Sequence, residues 1–78
     1  MAIDYSALLS DDQKRSILSA RQQQFASEAF QHELNKATAE ATGSEELVKQ
    51  ADEALAILEV ALTVNAEELA KLPDVAAL

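Results

Sequence analysis

Cysteine is absent from this sequence and histidine occurs once, which excludes disulfide staples, thiolate metal sites and zinc-finger ligand sets together. Basic side chains are also few. Six Lys and Arg stand against fourteen Asp and Glu, giving a net charge of −8 that repels phosphate backbones and anionic lipid surfaces, so neither nucleic acid nor membrane is an expected partner. The apolar runs fall well short of the roughly 20 residues a membrane span needs, and Met1 to Tyr5 lacks the basic and apolar regions of a signal peptide. The expected location is the cytosol of the cell that makes it. Glycine-rich phosphate loops, nucleophile elbows and metalloprotease helices are all missing, so no enzyme, cofactor or metal site is expected.

Seventy-eight residues make one domain at most. A chain this short buries only about 60% of its unfolded surface, and without a disulfide or a metal the remaining stabiliser is association with another chain. Self-association is therefore the default expectation. The excess acid is uneven: residues 1 to 27 hold three acids and three bases, 28 to 43 three and one, and 44 to 78 eight and two.

The single glycine and the single proline stand where helix punctuation belongs. Gly43 can adopt the left-handed conformation that closes a first helix, and Ser44 with Glu45 and Glu46 suits the start of a second. Upstream, Ser10 and Gln13 form a capping-box pattern, with Asp11 and Asp12 in the first turn. The pattern predicts helix one over 11–41 and helix two over 45–72, ending before Pro73. Each rod is roughly 40 to 47 Å long, which leaves nothing to form a sheet. Residues 1–10 are expected to dock on a helix or a neighbour, with Asp4 or Ser6 capping one short turn. Residues 73–78 form a tail in which Val75 and Leu78 suit a partner chain. The expected architecture is all-α: an antiparallel, coiled-coil-like two-helix hairpin, spanning 1–78 as a single domain and completed by oligomerisation into a helical bundle.

On helix two a heptad reading puts Val48, Leu55, Leu62 and Leu69 at one seam position and Ala51, Leu58, Asn65 and Leu72 at the other. A second stripe, Ile57, Val60 and Val64, lies on other sides of the same helix, so that Ala54 to Val64 offers water only Glu59 and Thr63 as fully polar side chains. One helix covers one face and not both; the second stripe is left for another chain. In a hairpin turning at residue 43, positions equidistant from the turn share a level. Phe25 then meets the level of Ala61, Phe30 that of Ala56 and Ile57, Leu18 that of Leu69, and Leu34 that of Ala51. Phe25, Phe30, Ile57, Val60 and Val64 are accordingly the candidate interface residues.

Arg21 and Asn65 also fall level, and each interrupts an apolar progression. They form either a polar layer that sets register, or a snorkelling arginine beside a partly exposed amide. His32 with Glu28 four residues before it can share a proton, but di-iron helical sites use Glu and His three apart with carboxylates from further helices. Glu59 would be perturbed if buried, and otherwise marks the strip where an apolar helix meets water. Ser16, Ser19, Gln22, Gln23, Gln24 and Ser27 make a neutral polar surface. Asp11 with Arg15, Glu45 with Lys49, and Glu67 with Lys71 are helix-supporting pairs four apart.

Ile3-Asp4-Tyr5-Ser6, Asp12-Gln13-Lys14-Arg15, and Phe25 through His32-Glu33-Leu34-Asn35 resemble short uncharacterised helical-hairpin proteins encoded by tailed bacteriophages. The resemblance covers the first half of the chain and carries over no functional residue. It implies a small viral accessory protein, part of a particle or directed at the host, and so located in the host cytoplasm or on the virion. Three functional readings follow. The first is a non-catalytic assembly protein that associates with itself or with a virion protein. The second is an acidic module that occupies a basic site on a host defence or regulatory protein. The third is a ligand or metal site between subunits, drawing on His32, Arg21, Tyr5 or Glu59.

Overall fold

The computed structural model describes residues 2–73. A 3-10 turn at Ser6–Leu8 precedes helix α1, Asp11–Thr42, and helix α2, Glu45–Ala70, and the two helices pack along each other as an antiparallel hairpin. Among the described residues there is no strand.

Local chemistry accounts for each boundary. The Ser10 hydroxyl accepts from the Gln13 amide at 3.1 Å while the Gln13 side-chain oxygen accepts from the Ser10 amide at 2.8 Å, the reciprocal capping box read from the sequence. At the turn Gly43 has φ 76, its amide donates to the Glu40 carbonyl, and the Ser44 amide donates to the Ala39 carbonyl at 2.9 Å. That pair of bonds is a Schellman closure, and it needs the left-handed residue that glycine supplies. Ser44 then turns to its other task and accepts from the Leu47 amide at 3.4 Å. The second helix stops at Ala70, two residues before the expected end. Pro73 disfavours helical geometry at Leu72, so the last amides, Lys71 and Leu72, bond three residues back to Glu68 and Leu69 instead.

The seam between the helices follows the heptad reading on α2: Ala51, Leu58 and Asn65 are buried, and Val48, Leu55, Leu62, Leu69 and Leu72 are half-buried. On α1 the inward line is Leu18, Phe25, His32 and Ala39, one residue per heptad. Phe30 departs from the expectation. It is 59% exposed and Leu34 52%, because five residues turn a helix by about 140° and carry Phe30 off the line that Phe25 occupies. Phe30 and Leu34 thus lie off the inward line, with more than half of each residue's surface open, rather than enclosed in the seam as expected.

Ion pairs also differ from the simple four-residue rule. Arg15 pairs with Asp12 at 2.9 Å rather than with Asp11, and Lys71 with Glu68 at 3.0 Å rather than with Glu67, while Glu45 and Lys49 do not pair. Freed from Asp11, the Arg15 guanidinium also donates to the Pro73 carbonyl at 2.7 Å and ties the start of α1 to the end of α2. Near the turn Lys36 and Asp52 bridge the helices at 2.7 Å. The Asp4 carboxylate accepts from the Ala7 amide at 3.3 Å, but Ile3, Tyr5 and Leu8 remain 62, 71 and 71% exposed, so these side chains are not docked on their own helices. Val75 and Leu78 lie outside the described residues.

A single helical layer cannot enclose a core. The thinnest dimension is 14 Å, little more than one helix, and the radius of gyration is 17.0 Å where a compact chain of this length has about 11.5 Å. Only Ala39, Ala51 and Leu58 are buried apolar residues among those described. The chain exposes 6118 Å², against about 4,600 Å² for a compact monomer of 8.4 kDa.

Candidate functional site

Helix α2 presents two apolar faces because its apolar residues follow two heptad lines, one residue out of step. The first line is the seam against α1. The second runs Leu47, Ala54, Ile57, Ala61 and Val64, and one residue of helix corresponds to about 100° of rotation, so this line faces sideways out of the hairpin. Leu47, Ile57 and Val64 are 53, 70 and 50% exposed; Val60, beside the line, is 63% exposed. Ala54 and Ala61 are half-buried where the line borders α1. The expected stripe of Ile57, Val60 and Val64 is therefore open in the single chain. Leu47, Ala54 and Ala61 extend it, and the signal that reveals them is the 3-4 spacing from residue 47, offset by one from the seam.

Phe25 and Phe30 do not join this face. Phe25 sits half-buried at the seam with the Arg21 guanidinium 4.9 Å above its ring, a cation–π contact. Phe30 projects from α1 alongside Leu34 and belongs to the outer side of that helix.

Arg21 and Asn65 do not meet as one polar layer. Arg21 is exposed over Phe25, whereas Asn65 is 3% exposed and its amide nitrogen donates to the Leu18 carbonyl at 2.8 Å. Its side-chain oxygen has no hydrogen-bond partner. The buried polar contact thus uses backbone from α1, which no side-chain pattern reveals.

No family model, curated protein or solved structure matches this chain. The site must be read from its own chemistry.

The titratable candidates are dispersed. His32 lies in an open groove on one flank of the seam with Asn35, Thr38, Leu47 and Gln50; Glu59 lies on the other flank with Gln22, Glu33 and Thr63. Glu59 is exposed, the strip where α2 meets water, and its backbone carbonyl accepts from the Thr63 hydroxyl at 2.9 Å. Tyr5 stands apart in the N-terminal segment, so His32, Arg21, Tyr5 and Glu59 do not converge within one chain. Among the described residues no three His, Asp or Glu side chains are placed to hold a metal ion, and no helix is long and apolar enough to cross a membrane. At Lys36 the hydrogen bond to Asp52, and then that carboxylate's charge, raise the pKa above the ordinary lysine value. What the surface offers chemically is desolvation of an apolar stripe, framed by acidic side chains.

Proposed function

We propose that this chain is a non-catalytic assembly protein whose hairpins associate with one another through the outer face of α2. The observation that carries the reading is the exposure of Ile57, Val60 and Val64, at 70, 63 and 50%, on a helix whose seam face is already occupied by α1. Three neighbouring aliphatic side chains on one face form a patch that association removes from water, at roughly 25 cal/mol for each Å² buried. A hairpin that buries so few apolar residues of its own gains most from that burial. By its resemblance to phage-encoded helical proteins, the protein works in the host cytoplasm or on the virion as a small accessory or structural component.

Mass in solution tests this directly. Light scattering after size exclusion, over a concentration series, should give a discrete oligomer for the wild type and a monomer for Val60→Glu. Circular dichroism of the variant should remain fully helical, since Val60 contributes little to the hairpin itself. The thermal midpoint of the wild type should rise with concentration. A wild-type monomer with full helicity at micromolar concentration defeats the proposal.

A further inference from the structure

We infer that the occupant of the outer face is a second copy of this chain, packed α2 against α2 in antiparallel sense about a two-fold axis at the level of Glu59. This rests on the assembly reading above and specifies its geometry. Three observations lead to it.

The first is self-complementarity. A two-fold interface requires that if one residue meets another, the same contact recurs with the chains exchanged. With antiparallel helices centred at the level of Glu59, Ile57 falls opposite the partner's Ala61, and Val64 opposite the partner's Ala54. Ile57 and Val64 each meet an alanine, and each contact occurs twice. Alanine at alternate seam positions allows the helix axes to approach at the close end of the usual 8 to 10 Å range. Sliding one heptad toward the turn sets Leu47 against the partner's Val64, large on large, and brings Gln50 inside the contact against Ala61. Sliding the other way sets Ile57 against the partner's Glu68. Parallel alignment sets Ile57 and Val64 against themselves.

The second is charge. In the centred register Lys71, the residue that caps the C-terminal end of α2, lies beside the acidic first turn of the partner, Glu45 and Glu46. Opposite helix ends then coincide at both ends of the contact, where Lys71 stands beside the partner's Glu45 and Glu46, and Glu67 and Glu68 of the last turn come next to the partner's Lys49. Among the described residues Lys71 pairs with Glu68, both well exposed at 69 and 49%, a surface pair that can reorient; its aliphatic stem covers the partner's Leu47. Glu68 falls opposite the amide of the partner's Gln50.

The third is area. The chain exposes about 1,500 Å² more than a compact monomer of its mass, and a stable dimer of standard size takes about 800 Å² from each partner. The two lines on α2 lie about 100° apart, so a helix seated on the second leaves α1 undisturbed on the first, as neighbours in a four-helix bundle are arranged.

Because the protein has no cysteine, introduced thiols are the only ones present. Single-site Ile57→Cys and Ala61→Cys proteins, mixed in equal amounts and mildly oxidised, should form the mixed disulfide about tenfold faster than either self-disulfide, since only facing positions come within bonding distance. Ala54→Cys mixed with Val64→Cys should do the same, and serves if one of the first pair loses helicity. A two-chain mass by light scattering that accompanies Ile57→Cys self-disulfide, or preferred bonding of Ile57→Cys to Ala54→Cys, overturns the register and leaves the assembly reading standing. A trimer does so too, because it has no two-fold axis. A monomer at every concentration overturns both.

Discussion

The amide nitrogen of Asn65 donates to the backbone carbonyl of Leu18 at 2.8 Å, across the hairpin and 47 residues apart in the chain. It is a buried polar contact in a seam filled mainly by Leu, Val, Ala and Phe, and it fixes the level of α1 against α2. Its cost is legible in the side-chain oxygen, which has no partner. A polar residue at such a seam position trades stability for register.

Asn65→Leu should therefore raise the thermal midpoint, by about 1 kcal/mol of added stability, because the Leu18 carbonyl retains its helical bond and a desolvated amide is removed. The same substitution should broaden the distribution of species seen by light scattering. Asn65→Asp should cost about 2 kcal/mol or more at neutral pH, since a carboxylate cannot ionise cheaply where Asn65 is 3% exposed, and should recover on acidification. Equal stability of the Asp variant at neutral and acid pH would contradict this account.

Gly43→Ala isolates backbone strain. An added Cβ would meet nothing within 4 Å, so the whole effect comes from φ 76. The expected loss is about 1 to 2 kcal/mol, with helicity preserved. Urea unfolding at fixed protein concentration measures it.

The two phenylalanines should behave oppositely. Phe25→Ala removes a seam ring together with its Arg21 contact and should cost about 2 kcal/mol; Phe30→Ala, on an exposed position, should stay within about 0.5 kcal/mol. Parallel denaturation of both variants decides it, and a large loss at Phe30 would mean that this ring is covered by another molecule in solution.

Lys36 provides a pH signature. Its hydrogen bond to Asp52 and that carboxylate's charge raise the folded-state pKa above the ordinary 10.5. A raised folded value means that the pair's contribution is complete below 10.5 and is lost as pH rises through the higher folded pKa. The difference in midpoint between wild type and Lys36→Met should thus be constant at neutral and mildly alkaline pH and shrink in strongly alkaline solution. The effect is small, because both side chains are substantially exposed.

Much of this architecture is carried by local signals. A capping box at Ser10 and Gln13, one glycine with φ 76 and one proline are sufficient to place two helices and the turn between them, because helix ends are decided by backbone groups within a few residues. The seam of α2 is equally local, since it repeats along one helix. The open stripe is partly so: Ile57, Val60 and Val64 follow from periodicity, but Leu47, Ala54 and Ala61 stand out only once the neighbouring seam is known to be filled.

What the tertiary structure alone decided is rotation and pairing. Which face of α1 turns inward depends on the competition of Phe25 and Phe30 for one seam, and α1 carries too few apolar residues for its sequence to settle that competition. The partner of Asn65 is a backbone carbonyl, a group every residue possesses, so no pattern of side chains can name it. Arg15 and Lys36 took the acceptors that packing brought within reach, Pro73 and Asp52, in addition to or instead of those a helix places four residues away. Local chemistry set where the helices begin and end; only their contact set which residues meet.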